Sequence, residues 1–257
     1  MTAARALPGV LFDLSDTLVP WHTITHWQWA WRPQGPLIPE RHAQAAIKRS
    51  LRGWDQRRWQ GLVGTMPVAE AADHREFLRA TLTEIAGHSL PPTEVEAVVD
   101  RFLRPTGEIE RFPDAAATVL QIAERGQPVG VVSELSADTA RAMLKRAGLV
   151  ESWLVLSEAG PAEPRLPSAA AFHRACERLG TVPGQTVFVG NLYWSDARAA
   201  NRAGLTGVLI DRTDIWPRVV ANRIQTLSEL PTLDFVRPGV TGEPAPAIAP
   251  REVTGAP

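Results

Sequence analysis

The stretch Gly9-Val10-Leu11-Phe12-Asp13-Leu14-Ser15-Asp16-Thr17-Leu18-Val19 decides the fold that we predict for this chain of 257 residues. Its apolar run is typical of a strand buried in a parallel sheet, and the run ends at a carboxylate, Asp13. In open α/β sheets, ligands bind just beyond the carboxyl ends of such strands. This position makes Asp13 a candidate catalytic residue, and a solvated Asp in the turn after a strand is the alternative.

From residue 112 onward, predicted helices alternate with short apolar strands. Helices at 114–125, 136–147, 168–179 and 195–203 each end at a glycine, which is a common helix stop signal. Strands are predicted at 128–133, 153–157, 186–190 and 206–210. Such alternation indicates βαβ units. With strand 9–12 added, the sequence predicts an α/β protein with a doubly wound parallel sheet.

The segment between these two parts shows only helical patterns, at roughly 40–52, 67–87 and 93–103. We therefore predict an all-helical subdomain over residues 20–108, inserted into an α/β core formed by 1–19 and 109–235. Six of the nine tryptophans lie between Trp21 and Trp59. Residues 236–257 contain five prolines and three glycines and are predicted to be a disordered tail.

Composition narrows the function classes. The formal net charge of -1 offers no electrostatic footprint for nucleic acid or for a membrane surface, so we expect a small-molecule substrate. There is no apolar run of 18 residues and no apolar signal segment, and the one cysteine, Cys176, cannot form an internal disulfide. We expect a cytoplasmic protein, and its oligomeric state is not predicted.

The opening stretch resembles the first motif of the haloacid dehalogenase-like superfamily, an apolar strand followed by Asp-x-Asp-Gly-Thr-Leu. The resemblance implies that Asp13 is a nucleophile that forms a covalent intermediate. Thr17 and Leu18 match the end of the motif, but Ser15 stands where phosphatases of the family carry a second Asp as general acid/base. The resemblance also implies a Rossmann-like core. The predicted helical insert lies where members of the family have their cap domain.

The next two motifs of the family are only partly present. Ser133 follows the strand Val129–Val132 and matches the Ser or Thr that hydrogen-bonds the transferring group; a helix cap is the alternative. The motif lysine is absent, since the best alignment puts Leu166 in its place, and Arg165 could supply the charge instead. We further predict that two aromatic and two polar residues contact the substrate: Trp21, Trp27, Ser133 and Glu134.

The fourth motif follows the strand at 186–190. Asn191 replaces its first Asp, whereas Asp196 keeps the second at the expected spacing. The resemblance implies Mg²⁺, with oxygen ligands from Asp13, the Ser15 carbonyl, Asn191 and Asp196. Asp196 could instead be only a charge at a helix N-terminus.

These departures leave several functions open. The first is a divergent hydrolase acting on a small molecule, most simply a phosphate ester, through Asp13. The second is a catalytically silent relative, or a non-hydrolytic enzyme that reuses the cleft. Such an enzyme would bind an apolar ligand among four tryptophans: Trp21, Trp27, Trp29 and Trp31. Metal-free dehalogenation is the third. For the tryptophans, packing inside a small helical subdomain is the alternative.

Overall fold

The computed structural model describes residues 8–31, 39–61, 69–103, 111–133, 137–149, 154–157, 167–219 and 222–236. Six parallel strands form one sheet in the order β3-β2-β1-β4-β5-β6. They are β1 Gly9–Asp13, β2 Val129–Ser133, β3 Leu154–Ser157, β4 Thr186–Gly190, β5 Thr206–Ile210 and β6 Asn222–Ile224. The predicted doubly wound sheet is confirmed. The sequence analysis missed β6, because only one of its three residues is apolar.

Strand β1 lies at the point where the strand order reverses. It pairs with β2 on one side, where Asp13 is opposite Val132, and with β4 on the other side, where Phe12 is opposite Val189. Parallel strands that leave β1 in both directions open a crevice between their carboxyl ends. The ends of β1, β2 and β4 therefore meet at this crevice.

Helices cover both faces of the sheet. Leu11 and Phe188 point to one face and pack with α7 and the start of α8, whereas Val10, Phe12 and Val187 belong to the apolar cluster that includes α5 and α6. This alternation follows from the two-residue period of a strand. The helices are α5 Ala115–Glu124, α6 Ala137–Arg146, α7 Ala169–Leu179 and α8 Ala199–Arg202, the last preceded by a π-helical turn over Tyr193–Arg198.

All regular elements that the structure describes between β1 and α5 are helices: α1 Ile24–Trp31, α2 Glu40–Trp59, α3 Ala69–Ala86 and α4 Pro92–Leu103. We call α1 to α4 the insert. Helix α1 was not predicted, and α2 continues past residue 52 because Leu51 and Asp55 extend its buried stripe. None of the helices in the described ranges is long and apolar enough to cross a bilayer.

The end of the described chain packs against the core. Val236, which we had placed at the start of the predicted tail, is fully buried, and its carbonyl accepts a hydrogen bond from the Gln127 side chain at 3.0 Å. This corrects the boundary of the tail by one residue. Residues 237–257 lie outside the described ranges.

Candidate active site

Asp13 is the last residue of β1, and its carboxylate faces the crevice between the strand ends. The Thr17 hydroxyl donates a hydrogen bond to Asp13 Oδ2 at 3.0 Å, which ties the carboxylate to the turn that follows. Burial, and then the negative charge of Asp196, raise the pKa of Asp13 well above its usual range. The structure thus brings two predicted site residues close enough for their charges to interact.

The turn after β1 is held by Asp16, at the position where the family motif has glycine. Asp16 has φ +62°, a left-handed conformation that Asp tolerates better than most residues. Its carboxylate accepts hydrogen bonds from the backbone N–H of Trp21 at 2.7 Å and of His22 at 2.8 Å. The chain that enters the insert is therefore attached to the first motif.

Two imidazole rings extend this attachment into the insert. Nδ1 of His22 lies 2.6 Å from the Asp16 carboxylate, and Nε2 of His22 lies 3.1 Å from Nε2 of His74 on α3. Burial opposes the ionisation of Asp16, but the charge and hydrogen bonds of His22 outweigh it and lower the pKa of Asp16. Burial, reinforced by the neighbouring His22, lowers the pKa of His74 to about 3. We call Asp16, His22 and His74 the carboxylate–imidazole chain.

The fourth motif forms a tight loop after β4. Asp196 is 3% exposed, and its Oδ2 accepts the backbone N–H of Leu192 at 2.8 Å. Its side chain lies directly against Gly190, where any Cβ would clash with it. Burial raises the pKa of Asp196 to about 7. Asn191 is also buried, and its backbone carbonyl accepts the Trp216 indole N–H at 3.2 Å.

Ser133 ends β2 and is 3% exposed, one residue beyond the partner of Asp13 in the sheet. The structure therefore brings Ser133 to the same edge as Asp13, and Ser15 and Thr17 follow Asp13 in the turn. Glu134 and Arg165, predicted to contact substrate and to supply positive charge, lie outside the described residues. Their roles stay predictions.

Of the tryptophans predicted to line an entrance, Trp21 and Trp27 are buried, whereas Trp29 and Trp31 are half-buried. Trp21 packs edge-on against His26 and Phe102, with ring centroids 4.9 Å and 6.0 Å away. Trp27 is 2% exposed and lies 4.4 Å from the ring of Phe102. Packing, the alternative that we gave for the tryptophan cluster, accounts for both side chains.

The sequence analysis missed a contact between the insert and the fourth motif. Asp55 of α2 is fully buried, and its two oxygens accept the backbone N–H groups of Trp194 at 2.8 Å and Ser195 at 2.9 Å. Burial raises the pKa of Asp55 despite these bonds. A signal was available, because Asp55 continues the four-residue spacing of the buried Ile47 and Leu51.

Arg58 brings positive charge to the same place. It lies one turn after Asp55, with its guanidinium 4.9 Å from the centre of the Trp54 ring. Burial raises the pKa of Asp196, and the charge of Arg58 partly offsets that rise; it acts on Asp55 in the same direction. The insert therefore contributes a cation near the strand ends, at a position that no family motif indicates.

The residues that could hold a metal ion are oxygen donors. Asp13, Asn191, Asp196 and the Ser15 carbonyl are the hard ligands that Mg²⁺ prefers. A cation between Asp13 and Asp196 would offset the repulsion that raises the pKa of Asp13. Among the residues that the structure describes, no group of three or more His, Cys, Asp or Glu side chains is arranged to hold a metal.

The structure is thus a doubly wound α/β protein with a carboxylate at its switch point and a helical insert between β1 and α5. Comparison with known proteins identifies the family. The model of the haloacid dehalogenase-like hydrolases matches residues 7–204, and the chain belongs to this family.

The individual relatives named below share 30% or less of their aligned residues with this chain. The chain is 30% identical over 152 residues to a glyceraldehyde 3-phosphate phosphatase of Methanopyrus kandleri, a match that covers 57% of this chain and 64% of the relative. It is 27% identical to (S)-2-haloacid dehalogenase 4A of Burkholderia cepacia, over 51% of this chain and 58% of that protein. It is 29% identical to a ribulose-1,5-bisphosphate 5-phosphatase of Halopiger xanaduensis, over 80% and 85%. The chain thus spans less than two thirds of the first two.

Solved structures agree on the fold. The structure of a dehalogenase superimposes with a TM-score of 0.63 at 21% identity, covering 90% of this chain and 98% of the other. A magnesium-bound HAD-hydrolase of Bacillus subtilis, YfnB, has a TM-score of 0.66 at 17% identity, over 89% and 98%.

Proposed function

We propose that this hydrolase cleaves a small phosphate ester and that Asp13 is its nucleophile. The observation that carries the proposal is the position of Asp13, a half-buried carboxylate at the switch point, with the Thr17 hydroxyl at 3.0 Å and Ser133 at the end of the neighbouring strand. Three of the relatives that the chain matches are named as phosphatases, which supports a phosphate ester over other substrates.

In the proposed reaction a carboxylate oxygen of Asp13 attacks phosphorus, and the bond from phosphorus to the leaving oxygen breaks. Water then attacks the aspartyl-phosphate at phosphorus, so that inorganic phosphate leaves and the Asp13 carboxylate is restored. Thr17 orients Asp13 through the bond described above. In this proposal Ser133 donates a hydrogen bond to a phosphoryl oxygen.

Ser15 sets the expected substrate preference. A hydroxyl has no readily lost proton, and general acid–base help is typically worth about 10²–10⁴ in rate. We therefore expect turnover of esters whose alcohol leaves without a proton, such as aryl phosphates, and much slower turnover of alkyl phosphates.

A divalent cation fits the donor set, and in this proposal Asp13, Asn191, Asp196 and the Ser15 carbonyl would hold Mg²⁺. When bound, it would neutralise charge on the phosphoryl oxygens. Arg165, and Arg58 from the insert, would add positive charge where the family has its lysine.

The test is turnover of aryl and alkyl phosphates with and without Mg²⁺, in the wild type and in Asp13→Asn. Mg²⁺-dependent turnover that falls at least about 10³-fold in the variant is expected, since the amide cannot form the intermediate. The fold of the variant is checked by circular dichroism and thermal unfolding. A folded wild type that hydrolyses no ester would refute the proposal and leave a silent relative as the explanation.

Metal-free dehalogenation is the second candidate, and Asn191 favours it, because one negatively charged metal ligand of the phosphatase motif is missing. One relative is named as a haloacid dehalogenase. Release of chloride from 2-chloropropionate without added metal, absent in Asp13→Asn, would support it and displace the phosphatase proposal.

A further inference from the structure

Asp55 is a fully buried carboxylate that the proposed chemistry does not use. Burying a carboxylate is costly unless each oxygen gains strong partners. Here the partners are two consecutive backbone N–H groups, those of Trp194 and Ser195, about 140 residues away in the chain. The contact therefore joins α2 of the insert to the loop that carries the fourth motif.

That loop is supported from two directions. From within, Asp196 Oδ2 accepts the N–H of Leu192 at 2.8 Å, which closes the segment between Asn191 and Asp196. From the insert, Asp55 accepts the N–H groups of Trp194 and Ser195, which lie in the first part of the π-helical turn, where backbone donors need partners from outside the helix. The orientation of the segment 191–196 thus depends on a side chain that the core does not supply.

Aromatic contacts extend the same junction. The Trp59 ring lies 5.9 Å from the Trp194 ring, and the guanidinium of Arg198 lies 4.6 Å from Trp194 and 5.6 Å from Trp59. The guanidinium of Arg202 lies 4.9 Å from the centre of the Trp59 ring. The last turn of α2 therefore packs along the π-helical turn and α8, and it holds Asp55 in register with the loop.

We infer that Asp55 is a positioning residue: by holding the segment 191–196 from the insert, it aims Asn191 and Asp196 at the crevice that contains Asp13. The inference deepens the proposed function and rests on it for the chemistry, but not for the contact. The site is then complete only when α2 is packed against the loop after β4. The insert would position residues of the site in addition to covering it.

The chemistry of the contact explains why a carboxylate is needed. An amide at this position offers one acceptor oxygen and turns its NH₂ toward a second donor, so that one backbone N–H loses its partner. A small misplacement of a reacting group lowers the rate of the chemical step much more than it lowers substrate binding. Asp55→Asn should therefore change kcat and leave KM nearly unaltered.

The experiment compares Asp55→Asn with Glu229→Gln. Glu229 also accepts two backbone N–H groups, those of Gln225 and Thr226, but both bonds end on its Oε1 and lie in the exposed turn that follows β6. The carboxylate-to-amide change is thus made at the junction and away from it, and the amide in Glu229→Gln keeps an oxygen for both donors. Asp55→Glu, which keeps the charge and lengthens the side chain, is a second variant in case the amide folds poorly.

Two readouts are combined. Hydrogen exchange by mass spectrometry on peptides that cover 190–198 should be at least about 10-fold faster in Asp55→Asn, and unchanged there in Glu229→Gln. On an aryl phosphate that the wild type hydrolyses, kcat should fall about 10- to 100-fold in Asp55→Asn, with KM within about twofold.

The outcomes separate the two proposals. Unchanged exchange in 190–198 overturns the inference whether or not the protein hydrolyses esters. Faster exchange with unchanged kcat, or a loss that appears only in KM, overturns the positioning role. A wild type with no turnover, in which Asp55→Asn still speeds exchange only in 190–198, overturns the proposed function and supports the contact.

Discussion

Two carboxylates attach the insert to the strand ends, and their two attachments are built differently. At the first motif, a carboxylate of the core, Asp16, holds the insert through amides and through the imidazoles of His22 and His74. At the fourth motif, a carboxylate of the insert, Asp55, holds the core through the backbone amides of Trp194 and Ser195. An imidazole can gain a proton as the pH falls from neutral to acid, whereas a backbone amide does not. The two attachments should therefore respond differently to pH and to substitution.

The largest effect is expected at the first attachment. Asp16→Ala leaves three donor groups without their acceptor and places alanine at φ +62°, so we expect the free energy of unfolding to fall by about 3–5 kcal/mol. Asp16→Asn tolerates that conformation and keeps an acceptor, and it should lose about half as much. Urea unfolding at pH 7 measures both. Equal losses in the two variants would show that backbone conformation contributes little.

The next effect is a loss of stability in acid that originates at the imidazoles. Burial lowers the pKa of His74 to about 3 and that of His26 to about 4, below the usual value of about 6.5, so the unfolded chain binds these protons first. Stability from these rings is complete above about pH 6.5 and falls as the pH drops toward the folded values. Each ring should contribute about 1.4 kcal/mol per pH unit.

This pH dependence is measured by urea unfolding between pH 7 and pH 5. In His74→Gln the free energy of unfolding should fall less steeply with decreasing pH, by the slope that corresponds to about one bound proton. His88→Gln, at an exposed position, should leave the slope unchanged. A fall in His74→Gln as steep as in the wild type would contradict a buried neutral His74.

The smallest effect concerns charge at the second attachment. Arg58 faces Asp55 and Asp196, whereas its neighbour Arg57 is exposed on α2. Arg58→Gln should lower kcat/KM for an aryl phosphate about 10-fold, since the positive charge that the proposal assigns to Arg58 near the phosphoryl group is lost. Arg57→Gln is the matched control and should have no effect. Equal values for the two variants would mean that Arg58 acts only on packing, through Trp54.

Local sequence patterns predicted much of the fold. Five apolar strands and the glycines that end the helices between them were recognised because buried parallel strands and helix ends depend on nearby residues. The short strand β6 escaped, since it is an edge strand with two polar residues of three. Helix α1 escaped because its aromatic residues gave no clear helical period over eight positions.

The candidate site divides in the same way. Asp13, Thr17, Ser133 and Asp196 follow strand ends in the sequence, so their meeting at one edge was foreseeable from a parallel sheet. Asp55 and Arg58 lie in the middle of a helix of 20 residues, and no local pattern connects them to residues 194–196. Asp16 stands where the family motif has glycine, and its bonds to His22 depend on how the chain enters the insert.

The sequence by itself determined the family, the sheet and the strand-end residues, because these depend on hydrophobic period and short spacing. Only the tertiary structure decided that His22 meets His74 and that the buried carboxylate of Asp55 meets the loop after β4, since those contacts join residues 52 to 140 positions apart. A buried charge needs partners wherever the fold brings them. For that reason the two attachments, and with them the residues that hold the site in place, became visible only in three dimensions.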